Sequence, residues 1–156
     1  MPSATIHRLP AGYDPISIDA IYLLDGTTQT FLPLFVSSAP AGVPAFIDDD
    51  QYALVDLSQL LAPNPTNTFL VRTSGDSMRD AGIQAGDLLV VDRSITARHN
   101  SIVIASLNGA VTVKRFQNRH GRTVLVPENP NYQPIEIRAF DAFTVLGVVR
   151  GFTRMF

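Results

Sequence analysis

Hydrophobic and polar residues are patterned differently in the two parts of this chain. From Thr68 onward, short runs rich in Val, Ile, Leu, Thr and Phe recur, bounded by Gly, Asn, Asp and Pro. Runs of this length and composition predict strands rather than helices. The expected strands are Thr68–Thr73, Leu88–Val91, Ser101–Leu107, Ala110–Gln117, Thr123–Val126 and Phe143–Arg150. Asn108-Gly109 joins two of them and is a strong signal for a tight hairpin. Gln117–Arg122, with Gly121, predicts a second hairpin tip. One short helix is expected at Asp56–Leu61, with Asp56 as its N-cap, ending before Pro63. The predicted fold class is mainly β: a partly closed, folded β-sheet domain.

Residues 1–50 break this pattern. Prolines at 2, 10, 15, 33, 40 and 44 exclude a long helix. Two apolar pieces stand out, Ile21–Leu24 and Phe31–Val36. The expected structure is an extended N-terminal arm whose apolar patches dock on the protein's own core or on a partner. A helix-turn-helix needs two or three periodic helices, and no such pattern occurs here.

Composition narrows the function. The chain has 156 residues, 46% of them hydrophobic, enough for one domain with a core. Its net charge of −2 provides no electrostatic footprint for gripping nucleic acid or an anionic membrane. Strong direct nucleic-acid binding is therefore not expected. With no cysteine there is neither a disulfide nor a thiolate metal site. His7, His99 and His120 lack metal-ligand spacing, so no metal is expected. No stretch has the length of a membrane span or the form of a signal peptide. A cytoplasmic location is expected.

Chemistry enters through one residue. Lys114 is the sole lysine, against eleven arginines. It lies in the strand-like run Ala110–Phe116, and two readings are open. Either it points to water, or it is buried and gives up its proton as a general base, which Arg cannot do. A second feature is Thr73-Ser74-Gly75-Asp76-Ser77-Met78, where a strand meets a Gly bend and then a Ser. Such a Ser can merely cap a turn. It can also be a nucleophile, with backbone N–H groups of the bend holding an oxyanion. No histidine is placed to activate it, which leaves Lys114 as the internal base.

These motifs in order resemble the LexA-type self-cleaving Ser–Lys peptidase family. The resemblance rests on Ser74-Gly75-Asp76-Ser77-Met78, Ile83, Gly86–Asp92, Val111–Arg115, Val126–Ile135 and Gly147–Arg150, and on the spacing from Ser77 to Lys114. It covers roughly residues 40–151. It implies Ser77 as nucleophile, Lys114 as base, and the backbone at Asp76 and Ser77 as oxyanion donors. The short arm is similar to the UmuD-type branch, accessory subunits of error-prone Y-family polymerases. In this family the substrate is the chain's own arm, cut at Ala-Gly or Cys-Gly, and Ala41-Gly42 fits that pattern. Pro40 departs from it by lacking an N–H. The implied division is an arm at 1–41 and a peptidase and polymerase-accessory domain at 42–156. The implied partners are a second copy in a homodimer, a RecA filament on single-stranded DNA, and a UmuC-like Y-family DNA polymerase, with no cofactor. Signal peptidase shares the Ser–Lys chemistry but needs a membrane anchor. A non-catalytic β module that binds a polymerase or repressor is the alternative from another class; it needs neither Ser77, Lys114 nor Ala41-Gly42.

Overall fold

The strands assemble by antiparallel pairing around one long strand. The structure is a computed structural model that describes residues 18–23, 30–35 and 52–155, with backbone alone for 18–23 and 35. The strands are β1 (Ile18–Leu23), β2 (Phe31–Phe35), β3 (Tyr52–Asp56), β4 (Thr68–Thr73), β5 (Leu88–Asp92), β6 (Ile102–Leu107), β7 (Ala110–Arg119), β8 (Arg122–Val126), β9 (Ile135–Glu136) and β10 (Phe143–Thr153). One helix, α1 (Leu57–Leu61), follows β3. Eight strands form one sheet in the order β1-β4-β5-β10-β6-β7-β8-β9, and β2 and β3 form a separate two-stranded ribbon. The expected mainly β class is correct.

Local chemistry explains most of these elements. Asp56 caps α1, accepting from the N–H of Ser58 at 2.9 Å and of Gln59 at 3.4 Å. The β6–β7 turn places Asn108 and Gly109 at φ 50° and 84°, the left-handed pair that a tight two-residue hairpin needs. His120 and Gly121, at φ 52° and 79°, make the second tip. It is shorter than the predicted Gln117–Arg122, because β7 and β8 continue pairing up to Arg119 and Arg122.

β10 joins the two halves of the sheet. Its first half pairs with β6 and its second half with β5, with register shifts between Val145 and Gly147 and between Val149 and Gly151. Such bulges bend a strand and let one sheet fold over itself. Gly147 is required by a close approach: a Cβ there would lie 2.6 Å from Val91 Cγ1 and 3.1 Å from the Asp92 carbonyl oxygen.

Both faces of the sheet are covered. Val103, Ala105, Leu125 and Val148 form one buried cluster. Phe69, Val71, Met78, Ile83, Leu89, Val91, Ile104 and Val113 form the other. Adjacent residues on β6 alternate between the two clusters, as a strand buried on both sides requires.

The described parts of the two apolar N-terminal pieces are strands. β1 pairs antiparallel with the outer edge of β4, and β2 pairs with β3. Tyr52–Asp56 was not among the predicted strands. Its pairing with residues far earlier in the chain is what stabilises it, and propensity does not report that. His7, Pro40, Ala41 and Gly42 lie outside the described residues.

Candidate functional site

The site forms where β4 leaves the sheet. After Thr73 the chain turns at Gly75, with φ 80°. It passes Ser77 and makes one 3-10 turn at Arg79–Ala81, ended by left-handed Gly82. Met78 and Ile83 are buried and anchor this loop on the core cluster beneath it. Thr73 closes the loop's base: its N–H donates to the Asp87 carbonyl at 2.9 Å and its carbonyl accepts from Gly86 N–H at 2.7 Å.

Ser77 and Lys114 meet at the centre. Lys114 comes from β7, on a different part of the sheet, yet Nζ lies 3.0 Å from Ser77 Oγ. Both residues are buried, Ser77 at 1% and Lys114 at 4% relative exposure. Of the two readings open for Lys114, the structure places it in the interior rather than in water. The Lys114 amine also reaches Thr112 Oγ1 at 2.9 Å and the Val113 carbonyl at 3.2 Å. These contacts aim the amine at the serine. Burial in general disfavours the charged form of an amine. An amine within hydrogen-bond reach of a hydroxyl can take its proton.

Beside Ser77 lies a cavity of about 10 Å³ lined by Thr73, Ser74, Gly75, Ser77, Met78, Ile83 and Val113. It has room for roughly one water, or for a methyl group of similar size.

The loop is held by a segment whose role sequence reasoning left unassigned. Asn129, itself buried, donates its side-chain amide to the Asp76 carbonyl at 3.0 Å and to Asp76 Oδ2 at 3.2 Å. The Tyr132 hydroxyl donates to Asp76 Oδ1 at 2.6 Å. The Glu128 N–H donates to the Ser77 carbonyl at 2.8 Å. Three residues of the Val126–Ile135 motif thus fix the backbone on either side of the Asp76–Ser77 peptide. No described backbone carbonyl accepts from the N–H of Asp76 or Ser77.

A second clamp holds the far end of the loop. The buried Asp87 carboxylate receives Arg154 Nε and a terminal guanidinium nitrogen, each at 2.6 Å, and Gln84 N–H at 2.8 Å. The same guanidinium donates to the Gly82 carbonyl at 2.8 Å. Hydrogen bonding to Arg154 is the main reason that the Asp87 carboxyl sits below its ordinary range, while burial opposes the shift. The same bond raises Arg154. Arg154 had no sequence signal, since its partner is 67 positions away.

The two described histidines, His99 and His120, take no part. His99 is exposed and its Nδ1 accepts from Asn118 N–H at 3.2 Å, and His120 is exposed at a turn. Among the described residues no group of three or more His, Cys, Asp and Glu is placed to hold a metal ion. No helix among them is long and apolar enough to cross a membrane.

Residues 33–150 match the family described as Peptidase S24-like. The chain belongs to this family. It is 42% identical over 127 residues to the LexA repressor of Bordetella pertussis, covering 81% of this chain and 57% of that protein. It is 36% identical over 133 residues to the LexA repressor of Shewanella oneidensis, covering 83% of this chain and 63% of that protein. It is 40% identical over 119 residues to Protein SamA of Salmonella typhimurium, covering 74% of this chain and 84% of that protein. The chain thus spans about three fifths of the length of the LexA repressors but most of SamA.

Proposed function

We propose that this S24-like chain is a self-cleaving regulator of the UmuD type, cut once between Ala41 and Gly42. The observation that carries the reading is the buried 3.0 Å contact between Ser77 Oγ and Lys114 Nζ. In the proposed reaction the neutral Lys114 amine takes the Ser77 hydroxyl proton, and Oγ attacks the Ala41 carbonyl carbon. The N–H groups of Asp76 and Ser77 stabilise the oxyanion. Lys114 passes the proton to the Gly42 nitrogen as the C–N bond breaks, leaving Ala41 esterified to Ser77. Water, deprotonated by Lys114, then releases the Ala41 carboxylate. The small cavity beside Ser77 suits the Ala41 methyl group, and Gly42 lets the following backbone approach closely. The scissile bond lies in the segment between β2 and β3, so the ribbon carries it.

The similarity to SamA, over 74% of this chain and 84% of that protein, supports the UmuD-type reading. In this reading the protein is a cytoplasmic homodimer, a RecA filament on single-stranded DNA stimulates the cut, and residues 42–156 serve a UmuC-like Y-family polymerase. The chain has 12 basic and 14 acidic residues. The arm takes away Arg8 with Asp14, Asp19 and Asp25, which leaves the product balanced and without a charge excess for holding DNA alone.

The test is incubation of the purified chain at neutral and alkaline pH, with and without an active RecA filament, read by intact mass. Fragments 1–41 and 42–156 are expected, formed faster as pH rises toward the folded pKa of Lys114. An uncut chain under all conditions would leave the non-catalytic β module as the better reading.

A further inference from the structure

The cut proposed above would remove more than a linker, because β1 belongs to the arm. β1 is the outermost strand of the eight-stranded sheet, and its neighbour β4 is the strand that runs into the Ser77 loop. We propose that β4 is a docking edge for an extended segment of a partner protein, and that Ile18–Leu23 covers it until the arm is cut. The reading rests on cleavage at Ala41-Gly42 for its trigger, but not for the properties of the edge.

Three observations carry it. First, the edge accepts an antiparallel strand, because β1 occupies it over Ala20↔Arg72, Ile21↔Val71, Tyr22↔Leu70 and Leu23↔Phe69. Second, β4 is held rigidly from its other side. Phe69, Val71 and Thr73 are buried, and Thr73 N–H is spent on Asp87. Backbone donors alternate along an antiparallel strand, so the N–H groups of Leu70 and Arg72 face β1. Without β1 they become an open ladder, the usual template for strand addition. Third, the cut changes the molecularity of the contact. In the intact chain β1 is tethered, with an effective concentration on the order of millimolar. After the cut it is a separate fragment that dilution removes.

The register also defines the partner's chemistry. The positions opposite buried Val71 and Phe69 hold Ile21 and Leu23. A replacing strand therefore needs apolar residues two apart, in an extended segment without proline at the positions opposite Leu70 and Arg72.

The experiment avoids dependence on self-cleavage. A Ser77→Ala full-length chain carries an external protease site immediately after Gly42. It is cut, separated from its arm at low micromolar concentration, and checked for a cooperative thermal transition. The probe is a fluorescein-labelled peptide of residues 16–25, followed by anisotropy. The cut core should bind it at least roughly tenfold more tightly than the uncut chain. N-methylation at Ala20 and Tyr22 should abolish binding, while N-methylation at Ile21 should preserve it. Equal binding by cut and uncut chains, loss on methylating Ile21 alone, an arm that stays bound after dilution, or a folded core that ignores the peptide would each overturn the proposal. So would a cut core that no longer melts cooperatively, since β1 would then be part of the fold rather than a cover. Self-cleavage of the wild-type chain is scored separately, so failure of the dyad and failure of the edge give different results.

Discussion

The Ser77 loop and the β2–β3 ribbon depart from the usual partition of side chains in opposite ways. At the loop, polar and charged groups are buried: Ser77, Asp87, Lys114 and Asn129 are each less than 5% exposed. On the ribbon, apolar groups are exposed: Phe31 is 56%, Leu34 58% and Leu54 65% exposed. The buried groups are satisfied, since no buried side-chain nitrogen or oxygen among the described residues lacks a hydrogen-bond partner. Burying polar groups costs stability unless each is paired, and here pairing holds the Lys114 amine against the Ser77 hydroxyl. The ribbon has the reverse property. A two-stranded ribbon is marginal by itself, and this one leaves large side chains in water. The loop is built for one fixed geometry, whereas the ribbon keeps large apolar side chains at its surface.

The largest expected effect separates chemistry from folding at the loop. Ser77→Ala and Lys114→Arg should each lower self-cleavage by more than about 100-fold while keeping a cooperative thermal transition. Arg keeps the charge but cannot act as a free base. Cleavage time courses on gels, paired with melting curves, check this; a Lys114→Arg chain that still cuts would remove the lysine from the mechanism.

Next in size is a contrast of burial. Leu125, fully buried, should cost roughly 2–5 kcal/mol when changed to Ala. Denaturant titration measures it, and a loss below about 1 kcal/mol would mean that this side of the sheet is not a packed core.

The Asp87–Arg154 clamp gives a pH signature. The Asp87 carboxyl is held below its ordinary range, chiefly by its hydrogen bonds to Arg154. A carboxyl depressed in the folded state adds stability above its unfolded pKa, and that stability is lost as pH falls through the folded pKa. Arg154→Gln should therefore lower Tm by roughly 5 °C at pH 7, with the gap to wild type closing as pH drops below about 4. A gap independent of pH would assign the loss to packing.

Tyr132→Phe removes one hydrogen bond to Asp76. It should slow cleavage about tenfold, equivalent to roughly 1.4 kcal/mol of barrier, with little change in Tm. An unchanged rate would show that the Asp76–Ser77 peptide holds its place without the tyrosine.

The smallest expected effect lies on the ribbon. Leu54→Ser should change stability by no more than about 0.5 kcal/mol. A larger loss in denaturant titration would reveal packing that the exposed ribbon does not show.

Local chemistry was legible wherever neighbours in the chain decide it. Asp56 capping α1 and the Asn108-Gly109 hairpin follow from side chains acting on their own backbone within a few residues. Strand runs such as Thr68–Thr73 and Phe143–Arg150 were visible because β-branched and aromatic residues suit a sheet buried on one or both faces. Ser77 and Lys114 stood out by residue type, by spacing and by family resemblance, but the sequence left open whether the lysine is buried. The tertiary structure decided that, because its burial depends on which strands pack over β7. The same holds for β3, whose partner β2 lies beyond an intervening segment. It also holds for Arg154, which meets Asp87 only because β10 crosses back to β5. Residue type and local pattern determined what each piece of this chain can do, while long-range pairing determined which pieces meet, since sequence separation carries no record of distance in space.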